Sequence, residues 1–343
     1  MPPATTAPFR TTDIGATNDS RVVRSNPLLT DLSKKRIVVT GGAGFLGLAV
    51  LRVLRQRGVA DDQIVVPRRR EYDLTVESHV ERLYETARPD VVIHLAAEVG
   101  GIGANMEHPG RFFYANMAMG LHLVEHARLR GLEKFVHTGS VCAYPKHCPI
   151  PFREEDLWNG YPEETNAPYG VAKKAIFVML DGYRREYGMN SAVVVPVNLY
   201  GPGDNFDPRS SHVIPALVRK CEQARLAGDP QIVCWGTGAA TREFLYVDDA
   251  AEGIVRAAEV MEEPVPINLG GGMEIPIRDL VGRIAKACTF DGRVEWDASK
   301  PDGQPRRGLD ISRARSLLGW EPRQDFDAGL GATVAWWREY GGR

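Results

Sequence analysis

The stretch Arg36-Ile37-Val38-Val39-Thr40-Gly41-Gly42-Ala43-Gly44-Phe45-Leu46-Gly47 decides the fold. Its β-branched run is typical of a buried strand, and an apolar stripe at helical spacing follows the glycines. Glycines permit a tight turn close to a pyrophosphate, whose charge suits a helix N-terminus. A strand before the loop and a helix after it predict a dinucleotide site. The predicted contacts are Gly41, Gly44, Phe45, Leu46 and Gly47.

The same strand-and-helix unit recurs along the chain. Apolar strands are predicted near 63–66, 91–95, 134–138 and 191–197, with helices near 76–87, 110–130 and after Pro168. Buried strands that alternate with helices indicate an α/β fold with a doubly wound parallel sheet of the Rossmann type. After Gly201, longer loops and short strands at 231–235 and 293–296 predict a smaller C-terminal substrate domain.

These patterns predict three segments. Residues 1–33 lack periodicity and are predicted to be a disordered extension, residues 34–200 the dinucleotide-binding domain, and residues 201–343 mainly the substrate domain. Residues 244–269 are predicted to return to the main sheet, through the strand REFLYV, the helix DDAAEGIVRAAEV and the strand INLGG.

Composition narrows the class of protein. The 343 residues carry a net charge of −2, which favours neither nucleic acid nor an anionic membrane as partner. No apolar run reaches membrane-spanning length, and the N-terminus does not resemble a secretory signal. Five cysteines without paired spacing predict reduced thiols in a cytoplasmic protein, and no pattern indicates a metal site.

Three residues have the order and spacing of a ketone-reducing triad: Ser140, Tyr169 and Lys173. Tyr169 is predicted to donate a proton to a carbonyl oxygen as hydride arrives, and Ser140 to hydrogen-bond that oxygen. Lys173 lies one helical turn after the tyrosine, where its charge is predicted to lower the tyrosine pKa and its ammonium to hold the nicotinamide ribose.

Cys142 adds a group that simple reduction does not need. A carbon acid beside a ketone requires a base, and a thiol next to the triad is a candidate for it. The alternative is a small buried residue near a strand end, which is the usual fate of a free cysteine.

The end of the second strand bears on the choice of cofactor. No carboxylate precedes the basic run Arg68-Arg69-Arg70, and guanidinium groups suit the 2′-phosphate of NADP. We therefore predict NADP (as NADPH) over NAD, with Arg68 and Arg69 as ligands. The alternative is a solvated basic turn paired with Glu71 and Asp73.

The glycine spacing GxxGxxG is the form found in extended short-chain dehydrogenases/reductases, and several further blocks closely resemble the GDP-L-fucose synthases. This family is also called GDP-4-keto-6-deoxymannose 3,5-epimerase-4-reductase, and the resemblance runs from about Arg36 to the C-terminus. The blocks are residues 99–105, 198–202, 204–206, 211–217, 242–245 and 300–303.

The resemblance implies two reactions in one site. Cys142 would remove protons at C3 and C5 of a 4-keto sugar, and His212 would return them on the opposite face before NADPH reduces C4. Lys173, His212 and the apolar floor Leu95-Ala96-Ala97 would also contact the cofactor. The implied ligands of the GDP-sugar are Asn198, Val213, Lys220, Trp235, Arg242 and Lys300.

Alternatives remain open at this stage. One is an NAD-retaining epimerase without net reduction, acting on another GDP-sugar such as a heptose or octose. Another is a cofactor-sensing protein, since a fold alone does not fix function. The superfamily resemblance also implies a homodimer in which the helix near 110–130 and the helix bearing Tyr169 form a four-helix bundle.

Overall fold

The computed structural model describes residues 29–300 and 304–341. Its strands in chain order are β1 (Ile37–Thr40), β2 (Ile64–Val65), β3 (Val91–His94), β4 (Lys134–Thr138), β5 (Ser191–Pro196), β6 (Asn198–Tyr200), β7 (Gln231–Trp235), β8 (Thr241–Tyr246), β9 (Pro266–Leu269), β10 (Glu274–Pro276) and β11 (Arg293–Asp297). The main sheet has the order β2-β1-β3-β4-β5-β9, and every neighbouring pair in it is parallel.

Helices cover the sheet in two layers. In chain order they are α1 (Phe45–Gln56), α2 (Glu77–Ala87), α3 (Ile102–Glu107), α4 (Pro109–Leu129), α5 (Ala167–Tyr187), α6 (Val213–Ala227), α7 (Val247–Val260), α8 (Ile277–Ala287) and α9 (Phe326–Tyr340). Helices α1 and α7 pack together in one layer, and α2, α4 and α5 form the other. The predicted α/β class with a doubly wound parallel sheet is confirmed.

A second hydrophobic core lies in the C-terminal part of the chain. It is built from α6, α8 and α9 together with the sheet β10-β8-β6 and the parallel pair β7–β11. Asn198, at the start of β6, donates from Nδ2 to the carbonyl oxygen of Glu243 at 3.0 Å, which ties β6 to β8. Because β6 begins two residues after the end of β5, the smaller sheet lies next to the carboxyl ends of the main-sheet strands.

The strand REFLYV is a correction to the sequence prediction. It was predicted to return to the main sheet, but β8 pairs with β6 and β10 in the smaller sheet. The position beside β5 is taken by β9, whose register aligns Ile267 with Val194, so no edge remains there for β8. Only α7 and β9 of the predicted segment lie against the main sheet.

Most of the predicted N-terminal extension lies outside the described residues. Of residues 29–33, which are described, Thr30 donates its amide to the Glu259 carbonyl at 2.9 Å. Leu32 begins a short 3₁₀ turn and is buried in the main core, so the part of the predicted extension that is described belongs to the folded domain. Within residues 29–300 and 304–341, no helix combines the length and the apolar character that crossing a bilayer demands.

Candidate active site

The glycine loop after β1 forms a cradle in which side chains do not fit. Gly41 has φ +71°, and a Cβ built on it would lie 2.8 Å from the amide nitrogen of Ala96. A Cβ on Gly47 would lie 2.2 Å from the Gly41 carbonyl oxygen. The backbone of the loop therefore turns tightly against α1 and leaves the helix N-terminus open to an anion.

One cavity of about 1580 Å³ joins this loop to the C-terminal core. It is bordered by the carboxyl edge of the main sheet, where ligands bind in open α/β sheets. All the predicted catalytic and cofactor residues line it, as do all the predicted sugar-nucleotide residues except Lys300. The Lys300 ammonium instead lies 5.7 Å from the ring centroid of Trp235, which does line the cavity.

The triad residues meet at the end of β4. Ser140 comes two residues after the end of that strand, and Asn166 and Pro168 start α5 so that Tyr169 lies in its first turn. The Ser140 hydroxyl lies close enough to the Tyr169 phenol to act against the rise in the pKa of that phenol. Lys173, one turn later and buried, donates from Nζ to the Thr138 carbonyl oxygen at 3.0 Å.

The charge states of the triad differ from the sequence prediction in one respect. Burial raises the pKa of the Tyr169 phenol, and the nearby Cys142 adds to the rise, so Lys173 does not set the direction of this shift. Burial lowers the pKa of Lys173 to about 8, which still leaves its ammonium the main form at neutral pH. A protonated phenol beside Ser140 is the form that can donate a proton.

Cys142 lies in a 3₁₀ turn held against α5. Its amide donates to Ser140 Oγ at 3.2 Å, which fixes the turn relative to the triad. A Cβ on Gly170 would lie 2.1 Å from the Cys142 carbonyl oxygen, so only glycine allows this approach. Gly170 thus lets the backbone of Cys142 approach α5 closely, and the sequence prediction assigned this glycine no role.

Substitution of Gly170 by Ala should destabilise the protein by about 1–3 kcal/mol, because the new methyl group overlaps the backbone of the 3₁₀ turn that carries Cys142. Gly182→Ala is the matched control in the same helix, where nothing lies within 4 Å of the added Cβ. The control should be neutral or more stable by up to about 1 kcal/mol. Urea denaturation measures both free energies of unfolding, and equal values for the two variants would contradict the close packing.

His212 reaches the cavity from the other side. It is the residue before α6, and its side chain remains exposed toward the cavity. The surrounding protein lowers the pKa of its imidazole by desolvation, which makes the protonated ring a readier proton donor.

Asp204, in the same wall of the cavity, is a buried carboxyl that the sequence prediction left without a role. Its Oδ1 accepts the Asn205 amide at 2.7 Å, whereas Oδ2 has no hydrogen-bond partner among the described residues. Burial raises the pKa of Asp204 to about 7.

The three arginines that follow β2 differ in their ion-pair partners. Arg70 pairs with Glu71 at 3.2 Å and is not among the residues that line the cavity. Arg69 pairs with Glu98 at 2.9 Å, and Glu98 also holds Arg111 at 2.7 Å. Arg68 lines the cavity and forms no ion pair with any described residue. The alternative interpretation, a solvated basic turn paired with acidic neighbours, therefore describes Arg70. Arg68 is the arginine whose guanidinium is open to a ligand.

The C-terminal side of the cavity carries cations and one flat aromatic face. Trp235 is 70% exposed, which is unusual for a tryptophan in a folded chain. Lys220 donates from Nζ to the Val233 carbonyl oxygen, and Arg242 donates to the carbonyl oxygen of Gln304 at 2.6 Å. Val213, the first residue of α6, lines the same wall.

Sequence reasoning missed the residues whose importance depends on distant partners. Arg307, Gln304 and Glu98 line the cavity, yet none stands in a motif that marks it. Gly170 offered a signal, since an isolated glycine inside a helical pattern often has a packing reason. For Arg307, 165 residues from Cys142 along the chain, the sequence holds no comparable signal.

A strand–glycine loop–helix unit, a Ser-Tyr-Lys triad and a shared cavity define a nicotinamide-dependent enzyme of the extended short-chain type. The sequence profile of the NAD dependent epimerase/dehydratase family matches residues 37–270. The chain belongs to this family.

Its similarity within the family is to the GDP-L-fucose synthases, which confirms the resemblance inferred from the motifs. It is 40% identical to GDP-L-fucose synthase of Escherichia coli strain K12, over 90% of this chain and 98% of that one. A GDP-L-fucose synthetase from Naegleria fowleri bound to NADP superposes with a TM-score of 0.82 at 28% identity, covering 89% of this chain and 94% of that one. A GDP-6-OMe-4-keto-L-xylo-heptose reductase from C. jejuni superposes with a TM-score of 0.84 at 27% identity, covering 90% and 98%.

Proposed function

We propose that this protein is an NADPH-dependent epimerase and reductase of a GDP-4-keto-6-deoxy sugar, forming GDP-L-fucose or a close analogue. One observation carries the proposal: the Cys142 thiol and the Ser140–Tyr169 pair share one cavity with His212. A reductase alone has no use for an added base and acid. The similarity to GDP-L-fucose synthases supports the same conclusion.

The residues present fit a nicotinamide dinucleotide. The glycine cradle before α1 suits the pyrophosphate, because its backbone approaches too closely for side chains. When bound, the nicotinamide supplies the hydride that reduces C4. Lys173 is suited to hold the nicotinamide ribose, since its ammonium lies buried at the end of β4.

The choice of NADPH over NADH rests on Arg68. It has no carboxylate partner in the described part of the chain, and a guanidinium binds phosphate in bidentate fashion. Arg69 is a weaker candidate because Glu98 already holds it at 2.9 Å. The NADP-bound neighbour supports the same cofactor.

The variant Arg68→Gln should raise KM for NADPH about 10- to 100-fold, since a charged hydrogen bond to the 2′-phosphate is lost, and should leave KM for NADH nearly unchanged. Arg70→Gln is the matched control, two residues along and paired with Glu71. It should behave as wild type with both cofactors. Steady-state kinetics measures KM for NADPH and for NADH in each variant. An equal change of both KM values in Arg68→Gln would refute a contact with the 2′-phosphate.

The proton transfers follow from the arrangement of the chain's own groups. The Cys142 sulfur takes a proton from the carbon next to the C4 ketone, and the C–H electrons pass to the ketone oxygen as an enolate. His212 gives a proton to the opposite face of that carbon, which inverts it. After inversion at C3 and C5, Tyr169 protonates the C4 oxygen during reduction, and Ser140 hydrogen-bonds the same oxygen.

The nucleotide half of the substrate suits the C-terminal wall. Lys220 and Arg242 provide positive charge for a diphosphate, and the exposed face of Trp235 suits stacking of a base. Lys300 lies over the same ring and can neutralise negative charge there. Asn198 and Val213 complete the proposed GDP-sugar contacts from β6 and the start of α6.

A homodimer and a cytoplasmic location belong to the same proposal. Helices α4 and α5 pack closely and carry large apolar side chains on their outer surfaces. These are Phe113, Tyr114, Leu121, Leu129, Val178 and Tyr187. Such a surface suits burial against a second copy. The five cysteines are all free, in agreement with a reducing compartment.

The test of the proposal is incubation with NADPH and GDP-4-keto-6-deoxymannose, followed by identification of the product. We expect NADPH to be consumed as GDP-L-fucose forms. An enzyme that retains NAD through purification and leaves NADPH unconsumed would instead establish epimerisation without net reduction.

A further inference from the structure

A buried guanidinium lies next to the sulfur that the proposed reaction uses as a base. Arg307 is only 9% exposed, and its Nη1 lies 3.9 Å from Cys142 Sγ. Its Nε donates to Gln304 Oε1 at 2.7 Å. No ion pair joins Arg307 to a carboxylate within residues 29–300 and 304–341. The preceding Arg306 is different, because it is more exposed and pairs with Glu274.

Gln304 fixes this guanidinium relative to the loop that carries the thiol. Its Nε2 donates to the Lys146 carbonyl oxygen at 2.9 Å, four residues after Cys142. Its own carbonyl oxygen accepts from Arg242 at 2.6 Å, so the same residue contacts the proposed nucleotide end. Gln304 is nearly buried, like Arg307. The guanidinium is therefore held in a set direction toward the sulfur.

We propose that Arg307 is a positioning residue that keeps the Cys142 sulfur in its thiolate form, ready to accept a proton. A buried cation without an anionic partner is costly, and a thiolate at this distance supplies the missing charge. Arginine beside a cysteine stabilises the thiolate over the thiol. The inference rests on the proposed function for its chemistry, since only the epimerisation needs this base.

The charges balance through one inversion. Cys142 thiolate accepts the proton of the C–H bond and becomes a neutral thiol, while the electron pair of that bond moves to the ketone oxygen. The His212 imidazolium then protonates the carbon on its opposite face and becomes neutral imidazole, which consumes the enolate. The thiol returns its proton to solvent and His212 regains one, so no further reactant is required.

The pH dependence of Cys142 alkylation by iodoacetamide tests the proposal without any sugar substrate. Trypsin cuts after Lys146, so Cys142 and Cys148 fall in separate peptides, residues 135–146 and 147–153, for mass spectrometry. We expect the midpoint of the pH profile to rise by about one unit or more in Arg307→Gln. The alkylation rate at neutral pH should then fall about tenfold. Arg307→Lys keeps the charge and should restore most of the wild-type profile.

Arg306→Gln is the matched control and should leave the Cys142 profile unchanged. If Arg307→Gln folds and the midpoint of its Cys142 alkylation profile does not shift, the proposal is overturned. This holds even if the variant raises KM for the GDP-sugar, because Arg307 would then act on the substrate and not on the thiol. The wild-type profile is a test by itself. A Cys142 alkylation midpoint at or above the pKa of an ordinary thiol, about 8.5, would overturn the proposal. A shifted midpoint in a protein that turns over no GDP-sugar would contradict the proposed function and leave this inference standing.

Discussion

Tyr169→Phe should slow NADPH-dependent reduction about 10²- to 10⁴-fold, because the phenol is the proton donor to the C4 oxygen in the proposed reaction. Burial keeps the Tyr169 phenol protonated, and its contact with Ser140 directs it toward a carbonyl bound there. Phenylalanine fills the same volume, so the fold and the cavity should be retained. Exchange of the C3 and C5 protons with solvent should continue, since Cys142 and His212 are untouched.

The measurement follows NADPH oxidation and deuterium exchange in the same preparation. Tyr187→Phe is the matched control, a half-exposed tyrosine at the far end of α5, and should reduce at the wild-type rate. If Tyr169→Phe lost reduction and exchange together, the two chemistries would not be separable as proposed. A fully active variant would remove Tyr169 from the reaction.

Cys142→Ser should slow proton exchange next to the ketone about 10²- to 10⁴-fold. A serine hydroxyl remains protonated at neutral pH, so it cannot take a proton from carbon. The reducing triad is intact in this variant, and reduction of the uninverted ketone should therefore continue at a lower or similar rate. The expected product keeps the starting configuration at C3 and C5.

Cys148→Ser is the matched control, because this thiol lies in the next loop and outside the cavity lining. Burial raises the pKa of Cys148 to about 12, so it supplies no thiolate at neutral pH. The control should give the same product as wild type, as identified by nuclear magnetic resonance. Formation of the inverted sugar by Cys142→Ser would assign the base to another residue.

Sequence periodicity predicted where the strands lie along the chain more accurately than which strands pair with each other. The strands predicted at 134–138 and 231–235 have those bounds in the structure. The strand REFLYV was placed in the wrong sheet because a short apolar run has the same appearance in either. Its partner depends on competition with β9 for the edge beside β5, which local sequence does not record.

The site could be predicted where its residues follow strand ends. Parallel strands bring Gly41, Ser140 and Asn198 to one edge, so motifs far apart in sequence predict one cavity. Arg307 and the free state of Arg68 could not be predicted, because both depend on which carboxylates lie nearby. The pairing of Arg69 with Glu98 is of the same kind, since it joins two separate loops.

The most direct test of the account is the reaction of wild type with GDP-4-keto-6-deoxymannose and NADPH in deuterium oxide. One NADPH should be consumed for each product, and the product should be inverted at C3 and C5 with solvent deuterium at both carbons. A product reduced at C4 without deuterium at either carbon would contradict the claim that one site both epimerises and reduces.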